Sequence, residues 1–241
     1  MGTSQHRTAG FDLHSVEQED HWISVSDLMA GLMMVFLFVS IALMRSAMVE
    51  RDTIRDIAVT YEQNQAAIYE ALREEFKDDL ERWGARIDRP TLSVEFLSPE
   101  VLFDNGRTEL KERFKEILGD FFPRYLMVLK RFRDSIREIR IEGHTSSVWN
   151  ERTSEDEAYF NNMSLSQGRT RSVLHYVYLL DAVSSDRPWI KKTIAAVGFS
   201  SAHPKLTTTG EEDAAASRRV SFRVITNAEA QIRKIIGRKE Q

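Results

Sequence analysis

The sequence predicts an α+β domain, a layered α/β sandwich on a mixed sheet, carried behind one membrane-spanning helix and a long neck helix. Three observations carry this. Residues 28–44 read LMAGLMMVFLFVSIALM, without a charge. From there to Trp83 the chain has no Gly or Pro, and its apolar residues fall at helical spacing. Beyond Pro90, period-two alternation and helical spacing take turns in the order β-α-β-α-β-loop-β, which favours a layered domain with a mixed sheet.

The 241 residues allow one ordinary domain plus something smaller. A hydrophobic content of 42% and a charged content of 29% exclude wholesale disorder. The formal net charge of -4 leaves no global basic field to draw in nucleic acid. The absence of cysteine excludes disulfides, Cys-ligated zinc and thiol catalysis, without identifying the compartment.

Taken in order, residues 1–21 are polar and aperiodic and read as a flexible tail. The spacing of His6, His14 and His21 within it fits no metal site. Residues 22–44 follow as a transmembrane helix, long enough at 1.5 Å per residue to span roughly 34 Å. A buried core helix is one competing assignment. A signal peptide is another, but the apolar run is too long for its h-region and the preceding flank is acidic. Arg45 marks the membrane exit. Residues 45–89 then read as a juxtamembrane neck helix and linker, with Ile54, Ile57, Tyr61, Ile68, Leu72, Phe76, Leu80 and Trp83 on a single stripe. That stripe needs a partner, either the globular domain or a second copy of the chain. The break falls at residues 84–90.

Residues 90–226 form the compact domain. Residues 91–97 alternate as a strand, and 108–133 are helical in pattern with a break at Pro123. The run IREIRIE at 136–142 alternates Ile with charge, the mark of a half-buried strand. Residues 147–160 read as a polar loop, and 164–182 as a helix with Leu165, Val173, Leu174, Val177 and Leu180 inward. A short apolar strand at 193–197, a second polar loop at 200–216 and an alternating strand at 219–225 complete the domain. Residues 227–241 close the chain as a helical tail.

Asp27 is the most informative single residue. An acid at the centre of a membrane helix costs about 2.5–3.5 kcal/mol, so such residues usually have a partner or a job. Asp27 lies about a turn and a half inside Trp22, close enough to the interface to snorkel. The alternative is a proton- or cation-relaying carboxylate within a helix assembly. Ser24, Ser26 and Ser40 offer polar contacts, and Ala30 and Gly31 permit close helix approach. One helix offers an ion no second wall, so an ion path through Asp27 requires membrane helices from a partner.

In the domain, the 136–142 strand runs into Gly143-His144-Thr145 and then Ser146. Asn162, Leu165, Ser166, Arg169 and Val173 spell N-x-x-L-S-x-x-R-x-x-x-V, and Arg218-Arg219-Val220 follows later. Leu102-Phe103-Asp104 with Glu109-Leu110 precedes them. Over roughly residues 91–226, this series resembles the OmpA-like peptidoglycan-binding domain, with its β-α-β-α-β-β order. The resemblance implies that Thr145, Ser146, Asn162, Leu165, Arg169 and Arg219 contact a cell-wall peptide. A guanidinium such as Arg169 can grip a diaminopimelate carboxylate through two parallel hydrogen bonds. Arg169 is expected about one turn into its helix, where free backbone N–H groups add positive potential. Asn162 would cap that helix or bond the peptide, and Leu165 would sit beneath the ligand or in the core. The family's acid after G-H-T looks like the partner of an ammonium; here that position is Ser146, so either the affinity is lower or an acid in the 151–157 loop substitutes. Arg218 and Arg219 alternate across a strand, so only one can face a ligand, and a structural ion pair is the alternative for either. No nucleophile accompanies His144, so the chain does not read as an enzyme, and no cofactor or metal is expected.

Trp22, Asp27 and the Met-rich run, followed by a neck and a wall-binding domain, resemble the MotB class of stator subunits. The S-D-L-M-A-G-L-M-M-V-F stretch at 26–36 is similar to the ZorB-type subunits of Zorya anti-phage systems. That resemblance implies a self-dimer within a pentamer of a polytopic ZorA/MotA-like subunit, proton flow past Asp27, and attachment to peptidoglycan. It places the chain in the bacterial inner membrane as a single pass, with the N-terminus cytoplasmic and the C-terminal domain periplasmic. A passive wall–membrane tether and a flagellar-type stator subunit are the alternatives. The flanking charges point the other way on orientation. One Arg and four acids precede Trp22, and Arg45, Arg51 and Arg55 follow the span, which by the positive-inside rule would put the C-terminal side in the cytoplasm.

Overall fold

The computed structural model describes residues 14–97, 99–150 and 152–227. Its first helix, α1, runs His14–Phe76. By internal contacts the chain divides into two compact units, Met1–Arg55 and Asp56–Gln241. In the first unit, every described residue from Val25 to Met44 is exposed, Leu28 at 75% and Phe38 at 68% among them. This is the one helix among the described residues that is long and apolar enough to cross a membrane. It begins at His14, so residues 14–21 are helical where the sequence pattern reads as a tail; an aperiodic polar stretch carries no signal for that extension. The remainder of the expected tail, residues 1–13, and the expected C-terminal helix at 228–241 lie outside the described residues.

In the second unit, the last turns of α1 belong to the domain core: Ile68, Leu72 and Phe76 are fully buried. The neck stripe therefore finds the domain as its partner over these turns. A short helix α2 (Leu80–Trp83) ends at Gly84, whose left-handed φ of 59° turns the chain into strand β1 (Ala85–Asp88). This strand falls inside the segment expected to be a linker. Four residues without clean alternation give too short a pattern to detect. Strand β2 (Ser93–Phe96) pairs back on it, and a short α3 (Pro99–Leu102) leads to α4 (Glu112–Lys130).

The expected break at Pro123 does not occur, since α4 runs through it. Proline removes one N–H and crowds the carbonyl four residues back. Phe121, Phe122, Tyr125 and Leu126, on either side of it, are all buried, and their packing outweighs the local penalty. Strand β3 (Ile136–His144) leads to α5 (Glu155–Leu179), which starts nine residues before the expected 164. Ser154 and Glu157 form a reciprocal capping box there, a signal the polar stretch 147–160 does contain. After α6 (Arg187–Thr193) come β4 (Ile194–Gly198), α7 (Ala214–Ser217) and β5 (Arg219–Thr226).

The sheet order is β1-β2-β5-β3-β4, antiparallel except for the β3–β4 pair that α5 connects. Both long helices cover one face. Phe121 of α4 meets Phe96 and Phe222 at ring distances of 5.1 and 5.0 Å. Helix α5 lies directly on Gly143 and Gly198: a Cβ on Gly198 would fall 2.5 Å from the backbone nitrogen of Gln167. The other face carries polar rows, with Glu95, Ser221 and Glu142 in one register line and Arg219 opposite His144 in the next. The expected class, an α+β domain on a mixed sheet behind a long apolar helix, is the observed one.

Candidate functional site

Strand β3 delivers Thr145 and Ser146 to the end of the sheet, where Thr145 N–H donates to the Ser200 carbonyl at 2.9 Å. From α5, Asn162 Nδ2 donates to the Ser146 carbonyl at 3.1 Å and fixes the chain as it leaves the strand. Asn162 is thus a helix-interior residue joining α5 to β3, not the cap, which is Ser154. These residues, with Leu165 and Arg169, line a cavity of about 800 Å³. Opposite them stand Phe103, Asn105, Gly106 and Lys111. Val148, Trp149, Ala214 and Arg218 complete the wall. Leu165 is partly exposed and faces this cavity, which resolves its two possible places.

Arg169 is 8% exposed and sits well inside α5, so no free helix N–H groups surround it. Its Nε donates to the Arg107 carbonyl at 3.0 Å and its Nη2 to the Asp104 carbonyl at 3.2 Å. The guanidinium stands 4.7 Å over the Phe103 ring. Burial, and then the nearby charge of Arg218, pushes its pKa down to about 10. The side chain remains protonated at neutral pH, and no carboxylate pairs with it among the described residues. Among the described residues the cavity's charged lining is Lys111, Arg169 and Arg218, with no Asp or Glu. The hydroxyl of Thr145 is buried and has no hydrogen-bond partner among the described residues. Such a site can hold an anion against an apolar wall.

Five of the six residues expected to bind the wall peptide come together here, and Arg219 does not. Its register opposite His144 turns it to the polar face of the sheet. There it lies 3.3 Å from Glu95, which also pairs with Lys205 at 3.0 Å and Arg86 at 2.7 Å. Its neighbour Arg218 lines the cavity instead, the other choice that strand alternation allows. The acids near the start of α5, Glu155, Asp156 and Glu157, are exposed and do not line the cavity; Glu151 lies outside the described residues. Trp149, Lys111 and Asn105 carry no sequence signal of their own, because they reach the cavity from loops. Phe103 stands in a quoted motif whose role becomes visible only under the Arg169 guanidinium.

His144 is stacked on Phe199, ring centroids 5.4 Å apart, with Nε2 3.5 Å from Glu142 Oε2. Burial, the largest influence, lowers its pKa against the opposing pull of Glu142. It is a neutral residue of the buried polar face. Among the described residues, no group of three His, Asp or Glu side chains is placed to hold a metal ion. Asp27 lies in the first unit, exposed on α1, with Ala30 and Gly31 one turn further along its face.

The family model of the OmpA family matches residues 102–218, which contain the whole cavity lining. The Zorya protein ZorB of Escherichia coli is 58% identical over 220 residues, covering 91% of this chain and 94% of its own. Among solved structures, a putative MotB-like protein from Desulfovibrio vulgaris is 26% identical with a TM-score of 0.46, covering 71% of this chain and 94% of that one. The cell wall anchor of the T6SS from Pseudomonas aeruginosa is 19% identical with a TM-score of 0.44, covering 65% and 97%.

Proposed function

The chain belongs to the family of the Zorya protein ZorB, and from that membership we propose that it is the wall-anchored subunit of a proton-driven rotary stator acting in anti-phage defence. One observation carries the reading. Asp27 is an exposed carboxylate in the apolar stretch of α1, a helix whose last turns are built into the core of an OmpA-family domain with a cationic cavity. The cavity holds peptidoglycan through Arg169 and Arg218, with Thr145, Ser146, Asn162 and Leu165 shaping it. Asp27 takes and releases the proton. A polytopic ZorA/MotA-like subunit, five copies around a dimer of this chain, supplies the second wall that a lone helix lacks. The chain crosses the inner membrane once, N-terminus cytoplasmic, because a domain that holds the wall must be periplasmic; that requirement outranks the flanking arginines. It acts by binding and ion relay, not by catalysis.

The test is Asp27→Asn in the full chain, co-expressed with its membrane partner. Loss of phage protection and of proton flux in proteoliposomes, with wall binding and abundance unchanged, is the expected result. An Asn variant with full protection and flux would leave a passive tether.

A further inference from the structure

The charges in the cavity are one-sided in a way that bears on what it can read. Asp104 lies in the sequence between the lining residues Phe103 and Asn105. It is exposed, its side chain is paired with Lys111 at 3.1 Å, and its backbone carbonyl holds Arg169. Glu212 is turned to the backbone N–H of Ser147, at 3.1 Å. What remains are two guanidiniums without a carboxylate among the described residues. Arg169 is buried and held only by carbonyls, and Arg218 is close enough for its charge to be felt at Arg169. The Ser146 hydroxyl and the unpartnered Thr145 hydroxyl offer dipoles but no negative charge. Among the described residues, an ammonium entering this cavity would meet the two guanidiniums and no lining carboxylate, whereas a carboxylate relieves both. Trp149 and Phe103 supply apolar surface for a methylene chain between acidic ends.

We propose that the cavity selects its ligand through carboxylates alone: it takes a segment bearing two carboxylates on a short aliphatic chain, and is indifferent or hostile to an amine on that chain. This deepens the wall-binding reading and rests on it. The probes are heptanedioate, its monoamide and 2,6-diaminoheptanedioate, titrated by ligand-detected NMR into the full-length chain in nanodiscs, with insoluble peptidoglycan pulldown run alongside. Heptanedioate binding at least as tightly as the diamino compound, a tenfold or greater loss for the monoamide, and loss of diacid binding in Arg218→Gln are expected. Tenfold tighter binding of the diamino compound would overturn the proposal, as would pulldown on peptidoglycan with no binding of either diacid. Diacid binding without peptidoglycan pulldown would support the selectivity and refute the wall reading, so the two failures are distinct. In Ser146→Asp, the proposal expects the preference to shift toward the diamino compound by tenfold or more; an unchanged preference there contradicts the charge argument.

Discussion

Replacing Arg169 by alanine should unfold the domain more readily as well as weaken its cavity, and the size of the first effect can be worked out. The guanidinium makes two charged hydrogen bonds to the 104–107 turn and covers Phe103. The freed carbonyls belong to exposed residues and regain water, so each bond is taken at the low end, about 1.5 kcal/mol. The cation–π contact adds about 0.5 kcal/mol. A total of about 3.5 kcal/mol corresponds to a Tm lowered by roughly 7–14 °C at 2–4 °C per kcal/mol for a domain of this size. The full chain in detergent, followed by near-UV circular dichroism, reports the packing of the Phe76, Phe96, Phe121, Tyr125 and Phe222 cluster and not the helicity of α1. A Tm within 2 °C of wild type would refute the clamp. The same arithmetic makes Arg169→Ala a poor test of binding by itself. Arg218→Gln is the better one: this side chain is exposed and pairs with nothing among the described residues, so its stability cost should stay below about 0.5 kcal/mol.

Further outcomes are expected. Gly198→Ala forces a Cβ to within 2.5 Å of the Gln167 backbone nitrogen and should cost about 1–3 kcal/mol in thermal unfolding, whereas Gly119→Ala, where a Cβ meets nothing within 4 Å, should stabilise α4 by up to about 1 kcal/mol. His144 is held neutral in the fold, so the unfolded chain binds its proton first. Stability should therefore fall as pH drops from the ordinary value of 6.5 toward the lowered folded value, at no more than about 1.4 kcal/mol per pH unit, and His144→Gln should flatten that stretch of the profile.

Much of this was legible in the residues because its causes are local. The apolar run, the IREIRIE alternation and the N-x-x-L-S-x-x-R spacing each state one periodicity, and each lies where it should. The failures share a different cause. Pro123 reads as a break because its penalty is local, while the Phe121–Tyr125 packing that overrides it is tertiary. Strand β1 is held by its pairing with β2 and carries little pattern of its own. Residues Arg218 and Arg219 are interchangeable by alternation; only the register of Arg219 against His144 decides which one reaches the cavity. That no acid among the described residues lines the cavity depends on where Asp104 and Glu212 place their carboxylates, which no spacing reveals.

Pulldown of the full-length chain on purified peptidoglycan sacculi, wild type against Arg218→Gln at matched ionic strength, tests the anchoring claim most directly. The account predicts retention by wild type and at least a tenfold weaker hold by the variant, with equal Tm. Equal retention of both would place the wall contact somewhere other than this cavity.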